Sequence, residues 1–340
     1  MEMDWKQRRL ITILTAIFLT LAAAVLIVLG IRYRQGRAEE EDPGTAVAAS
    51  MTVEGYDSLV YSNGTATLSF SAAEDGSWTW DNAPDFPLRQ EPVNTILAQL
   101  INWHPQQTLA AGEDLSEYGL DEPAGSLTLT GLDGSSRSLS FGKTTTDGTS
   151  RYVLELSDPS TVYIIADTLF TTMGVPIYDM CELPQLPALE EGNLRSIMLQ
   201  GPEGEDGTPA LVTLLTTSRG TGEEGAVTWL QGSEDVTDNE SVRALLEDLR
   251  TLSLTKCVDY DPSDEALELC GFAAPPASIT VNYIPDGSEE TQSLSLTIGN
   301  PVLDGSGRYV RLGDSRAIYS LPTAALDPLM RLAVNGLDLT

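Results

Sequence analysis

The chain has 340 residues, more than one domain ordinarily holds, and its 50 acidic and 19 basic residues leave a formal net charge of −31. Six of the basic residues precede residue 38, so the remainder, with 13 basic and 48 acidic residues, is more acidic still. Such a body repels nucleic acid and anionic lipid, which excludes functions that track phosphates, and no nucleic-acid partner is expected.

In chain order, residues 1–9 form a short tail and Leu10–Ile31, LITILTAIFLTLAAAVLIVLGI, is a run of 22 residues without a charge. A helix rising about 1.5 Å per residue would make it about 33 Å long, enough for a hydrocarbon core of about 30 Å. Its flank, RYRQGR, is not a small-residue cleavage site, so an uncleaved transmembrane helix is expected. Lys6, Arg8 and Arg9 on one side balance Arg32, Arg34 and Arg37 on the other. The shortness of the tail, not the charge count, favours a cytoplasmic N-terminus, localisation to the cell membrane and an extracytoplasmic body. Residues 32–56, acidic and rich in small residues, read as a linker.

The rest of the chain repeats itself, with a first unit over 57–188 and a second over 189–340. Trp80 stands opposite Trp229, Gly119 opposite Gly271, Pro123 opposite Pro275, Gly142 opposite Gly299, and DGTSRYV from Asp147 opposite DGSGRYV from Asp304. Order is kept throughout, so this is a duplication of whole domains, not a short solenoid repeat. Each unit opens on alternating strand runs; in the first, SLVYSNGTATLSF turns at Asn63-Gly64 as a tight hairpin. A helix follows, with Val93, Ile96, Leu97 and Leu100 on one face in the first unit and Val242, Leu245, Leu246 and Leu249 in the second. Pro92 suits its first position, and Thr237 with Glu240 fits a capping box. Gly119 and Gly271 fit the left-handed residue of a Schellman cap, with Leu115 and Leu267 facing Leu120 and Phe272. Four strands in a meander and a short terminal helix complete the unit. The expected class is α+β: an N-terminal transmembrane helix followed by two tandem repeats of antiparallel sheet, each with one main helix and a short terminal helix.

Residues that carry chemistry are few. His104 is the one histidine and sits at the end of the first amphipathic helix, where it suits the helix dipole. No HExxH, Walker A, GxGxxG or GxSxG pattern occurs, so no catalytic residue, metal or cofactor is expected and the protein does not read as an enzyme. A carboxylate pair is compatible with so many acids, yet Asp121 and Glu122 face Ala273 and Ala274 in the other unit. DYDPSDEALE, from Asp259, places Asp264 where a calcium loop needs glycine and reads as a helix start at Asp261-Pro262. Trp78 and Trp80 share a strand face and match Val227 and Trp229, a pattern of core packing more than of sugar stacking. Cys181, Cys257 and Cys270 form no CxxC pair; Cys257 and Cys270 are either bridged or buried thiols. The two heptapeptides place turns at Asp147-Gly148 and Asp304-Gly305 and start strands at Arg151 and Arg308, the only basic residues matched between units. Each arginine is expected to pair with a cross-strand carboxylate. Asp147, Arg151, Asp304 and Arg308 form the candidate binding loops, able to contact an anion or peptide.

Taken with the N-terminal apolar run, YGLDEPAGSLTL, SLSFG, SRYVLEL and TVYII together resemble the bacterial family catalogued as domain of unknown function 4340. CGFAAPPASITV, LTIG, GRYVRL and AIYSL resemble it more loosely. The resemblance covers most of residues 60–335 and implies a membrane-anchored extracytoplasmic protein, of the kind often encoded beside ABC-type transporter genes. It brings no catalytic residues. The expected function is therefore a membrane-anchored binding or accessory protein with a protein partner such as transporter subunits. A cell-envelope module for glycan or peptide is the alternative, and a carboxylate-dependent hydrolase the third reading.

Overall fold

The structure, a computed structural model, describes residues 55–338 except 102, 113, 205–206 and 220–226. The described chain divides into two compact units. Residues up to Asp85 with Gln90–Val175 form the first, and Phe86–Arg89 with the residues from Pro176 onward form the second.

The first unit contains β1 (Tyr56–Ser62), β2 (Thr67–Ala72), β3 (Trp78–Trp80), helix α1 (Gln90–Ile101), β4 (Gln107–Ala110), a 3-10 turn (Ser116–Tyr118), β5 (Gly125–Gly131), β6 (Ser136–Thr144), β7 (Ser150–Glu155), β8 (Asp158–Ala166) and α2 (Thr168–Met173). Its strands form one antiparallel sheet in the order β3-β2-β1-β5-β6-β7-β8-β4.

The second unit contains a 3-10 turn (Ile177–Met180), β9 (Leu194–Gln200), β10 (Val212–Arg219), β11 (Val227–Gln231), β12 (Glu234–Asp235), α3 (Glu240–Arg250), β13 (Lys256–Asp259), α4 (Asp264–Leu269), β14 (Ala277–Tyr283), β15 (Gln292–Pro301), β16 (Gly307–Leu312), β17 (Ile318–Pro322) and α5 (Thr323–Asn335). Its sheet runs β12-β11-β10-β9-β14-β15-β16-β17-β13. With the two-residue β12 set aside, this is strand for strand the order of the first unit.

Period-two patterning explains why these segments are strands. In β5, Leu127 and Leu129 point to the core while Ser126, Thr128 and Thr130 face out; in β14, Ile279 and Val281 are buried while Ser278, Thr280 and Asn282 face out. Helix α1 adds Val93, Ile96 and Leu100 to the first core, and α5 lays Leu326, Leu329 and Leu332 on the second sheet.

Several expectations need correction. The class is mostly β, not α+β: seventeen strands in two large antiparallel sheets stand against five α-helices among the described residues. The reason is visible in QTLA and KCVD. These four-residue segments, too short to display a period, become the edge strands β4 and β13 after each main helix, so each main helix is an excursion between two strands of one sheet. No described helix is long and apolar enough to cross a membrane; the longest, α5, has 13 residues. The expected transmembrane helix over Leu10–Ile31, and the linker as far as residue 54, lie outside the described residues.

Local starts also differ. The β1–β2 turn is a four-residue loop in which Asn63 Oδ1 accepts from the amides of Thr65 and Ala66 at 3.0 and 2.9 Å. Pro92 is the third residue of α1, still in the first turn, where its missing N–H has no intrahelical acceptor. Asn239, not Thr237, caps α3, accepting from Ser241 N at 2.9 Å, because the Thr237 hydroxyl accepts from Trp229 N at 2.9 Å. Ser263 caps α4, two residues after the expected start.

Candidate functional site

The duplicated turn after β6 and β15 places the residues singled out from the sequence. Both Asp147 and Asp304 are exposed and hold their own turns. Asp147 Oδ1 accepts from the Thr145 hydroxyl at 2.6 Å and Thr149 N at 3.1 Å, and Asp304 Oδ1 from Ser306 N at 2.9 Å and its hydroxyl at 2.7 Å. The Thr145 and Ser306 hydroxyls hold the two carboxyls below the usual carboxylate range. Gly148 and Gly305, both at φ +72°, complete the turns.

Arg151 and Arg308 share one contact. Arg151 Nη1 donates to Gly142 O at 2.6 Å, and Arg308 Nε donates to Gly299 O at 3.1 Å. Both glycines lie where the sheet register shifts, between Phe141 and Thr144 and between Ile298 and Pro301. A bulge leaves a ladder carbonyl without its strand partner, and the arginine supplies the donor. Arg151 goes further: it is buried, pairs with Asp167 at 2.6 Å and lies 3.8 Å over the Phe170 ring. The expected carboxylate partner is thus present for Arg151, while Arg308 has no ion pair among the described residues. The turns do not bring Asp147 to Arg151 or Asp304 to Arg308.

The glycines at these bulges serve close packing. A Cβ on Gly142 would stand 2.2 Å from Tyr118 O, and one on Gly299 would stand 2.2 Å from Cys270 O. What presses on them is the Schellman cap expected from the sequence. Leu120 N bonds Leu115 O at 3.1 Å and Gly119 N bonds Ser116 O at 3.0 Å; Phe272 N bonds Leu267 O and Gly271 N bonds Glu268 O, each at 2.9 Å. Gly119 and Gly271 take φ of +67° and +87°.

Other candidates resolve into packing. Trp78 and Trp229 are buried, and Trp229 Nε1 donates to Glu191 at 3.2 Å, so neither offers a stacking platform. His104 is exposed, three residues beyond α1, beside a hollow of about 150 Å³ lined with Trp103, Ile165 and Leu169. Asp259 accepts from the Tyr178 hydroxyl at 2.9 Å, and Asp264 pairs with Arg316 at 2.8 Å. Among the described residues no cluster of three or more His, Cys, Asp or Glu side chains could hold a metal ion. All three cysteines are free thiols, and Cys257 hydrogen-bonds Cys181, not Cys270.

One feature escaped the sequence reading. The outward faces of matching strands carry rows of hydroxyls. In the first unit one row crosses five strands through Thr79, Ser71, Ser58, Thr130 and Ser136. Its counterpart in the second unit runs through Thr216, Ser196, Asn282 and Ser293. In the next row the Thr128 and Ser138 hydroxyls bond at 2.9 Å, and their counterparts Thr280 and Ser295 at 3.1 Å. Asn282 Nδ2 donates to Ser196 at 2.9 Å, and Ser71 Oγ donates to Asp81 at 2.7 Å. The side chains of the two rows are half-buried or exposed and none of them is charged, although the chain carries −31; the Asp81 carboxylate that Ser71 holds lies at the edge of the first row. Cross-strand hydroxyl pairs of this kind stabilise a sheet modestly, by about 0.2–1 kcal/mol each. They also leave donors and acceptors facing solvent, which suits an uncharged polar partner. The signal was there to see, as Ser or Thr at every second position of SLTLT, SLS, SIT and SLSLT.

Residues 78–205 and 230–333 match the model of a family described as Domain of unknown function (DUF4340). No curated protein and no solved structure matches the chain.

Proposed function

The chain belongs to this family of unknown function, as two tandem copies, and from that premise we propose that it is an accessory binding protein of the cell envelope. In this reading the apolar run Leu10–Ile31 holds it at the membrane as a single-pass protein, its N-terminus is cytoplasmic, and both units work outside beside an ABC-type transporter complex. The observation that carries the binding role is the pair of uncharged polar rows, repeated on equivalent strands of both units within a strongly acidic chain. A face of this kind meets a partner without the like-charge repulsion that the loops impose. The apolar run and the family resemblance support the membrane setting and the transporter partner.

Purification of the tagged full chain from native membranes in mild detergent tests the reading. Transporter subunits are expected to co-purify, and Thr128→Arg or Thr280→Arg, on outward strand positions, is expected to reduce their recovery at least several-fold while the protein still folds. Recovery of the wild-type chain alone overturns it. A module for a neutral envelope glycan or peptide is the second reading, favoured by the same hydroxyls. It predicts that cell-wall fragments bind the purified chain and that the same arginine variants release them.

A further inference from the structure

The second unit has a cleft of about 510 Å³ lined by Arg89, Tyr178, Asp179, Cys181, Lys256 and Cys257, among others. Two elements bring the cysteines there. Cys181 ends the 3-10 turn Ile177–Met180 and is bridged to Leu88, while Cys257 lies on β13 opposite Tyr319, where the register shifts between Cys257 and Asp259. Both are buried, at 5% and 1% exposure; the Cys257 thiol donates to Cys181, whose own S–H donates to the Glu182 carbonyl at 3.6 Å. Cys270, at the end of α4, is the remaining thiol.

We propose that Cys181 and Cys257 are a disulfide-forming pair, closed by exchange with a small-molecule disulfide that reaches them through this cleft. The thiolate of Cys181 attacks one sulfur of the incoming disulfide, forming a mixed disulfide and expelling a thiolate that takes up the proton Cys181 lost. The thiolate of Cys257 then attacks the Cys181 sulfur, and the second small thiol leaves with the Cys257 proton. One disulfide bond breaks and one forms, and two protein thiols are oxidised as one small disulfide is reduced. The order follows from the surroundings. Burial raises both thiols, Cys257 to about 12, whereas the hydrogen bond from Cys257 and, after it, the Arg89 charge oppose the rise at Cys181. The thiolate is the attacking species, so Cys181 is the entry point and Cys257 the resolving partner. With both thiols raised, the exchange is slow, as suits a structural cross-link more than a turnover catalyst.

The full chain is incubated with oxidised glutathione, alkylated while native, unfolded and cleaved after glutamate. Cleavage at Glu265 and Glu268 separates Cys257 from Cys270. The expected result is a peptide linking Cys181 to Cys257, with Cys270 alkylated and free thiols falling from three to one. Cys270→Ser is expected to leave the cross-link unchanged, and Cys257→Ser to stop at glutathione carried on Cys181. A Cys257–Cys270 link, or separate glutathione adducts on Cys181 and Cys257 in the wild-type chain, overturns the proposal, and this mapping decides it even if a variant fails to fold.

Discussion

Arg137 shows how a single side chain can be fixed by partners that the linear sequence does not announce. It is buried on β6, pairs with Glu155 through Nε and Nη2, both at 3.1 Å, donates to Leu100 O at the end of α1 at 3.0 Å, and lies 4.5 Å over Trp103. Arg137→Met leaves Glu155 without its counter-charge and the Leu100 carbonyl without its donor, and the expected loss of stability is about 3–5 kcal/mol. Adding Glu155→Leu removes the stranded charge, so urea denaturation of the double variant is expected to recover much of that loss. Nothing in RSLSFG marks this arginine, because its partners arrive from 18 and 37 positions away. Arg151 and Arg308 stood out only because the duplication repeats them; their shared acceptor, a bulge carbonyl, needed the register of the sheet.

At the level of elements, the Schellman caps were legible in the sequence, since glycine, flanking apolar residues and a following proline state a local rule. The bulges they press on were not, because a register shift is a property of two strands. Gly142→Ala and Gly299→Ala test the joint. Each puts a Cβ 2.2 Å from a backbone oxygen, so both variants are expected to lose about 2–4 kcal/mol by chemical denaturation. Gly148→Ala is the contrast: its φ is +72° but a Cβ there meets nothing within 4 Å, and the expected loss is about 1–2 kcal/mol. Equal losses at Gly142 and Gly148 would remove the packing argument. The mostly β class was missed at the same scale. β4 and β13, four residues each, are strands only because β8 and β17 present edges to them.

For the whole molecule, acidity serves structure in the turns and opposes it elsewhere. Asp75, Asp114, Asp133, Asp147, Asp235 and Asp304 are each held below the usual carboxylate range by hydrogen bonds from neighbouring Ser or Thr residues. A lowered folded pKa adds stability that is complete above the unfolded value of about 3.9 and is lost as pH falls through the folded values. Net charge acts separately: −31 repels itself, and salt screens it. The melting temperature is expected to rise by about 3–5 °C between about 0.05 and 0.5 M NaCl at pH 7. In the higher salt, where repulsion is screened, it is expected to be lower at pH 3 than at pH 5. A flat response to salt would mean that the charges are already too well separated to matter. The duplication itself was the most legible feature of all, because it compares the chain with itself. The exchange of four residues was hidden by the same comparison: Phe86–Arg89 sit inside the first copy in sequence yet belong to the second unit. There Phe86 packs edge-on to Tyr260 at 5.1 Å, and Arg89 N bonds Met180 O at 2.8 Å. In order of synthesis these residues leave the ribosome roughly ninety positions before Met180, a delay of about 5–20 s at ordinary translation rates. The first copy must therefore form around a gap in its own sequence, and a fragment begun at Pro176 would lack part of the unit it was meant to isolate.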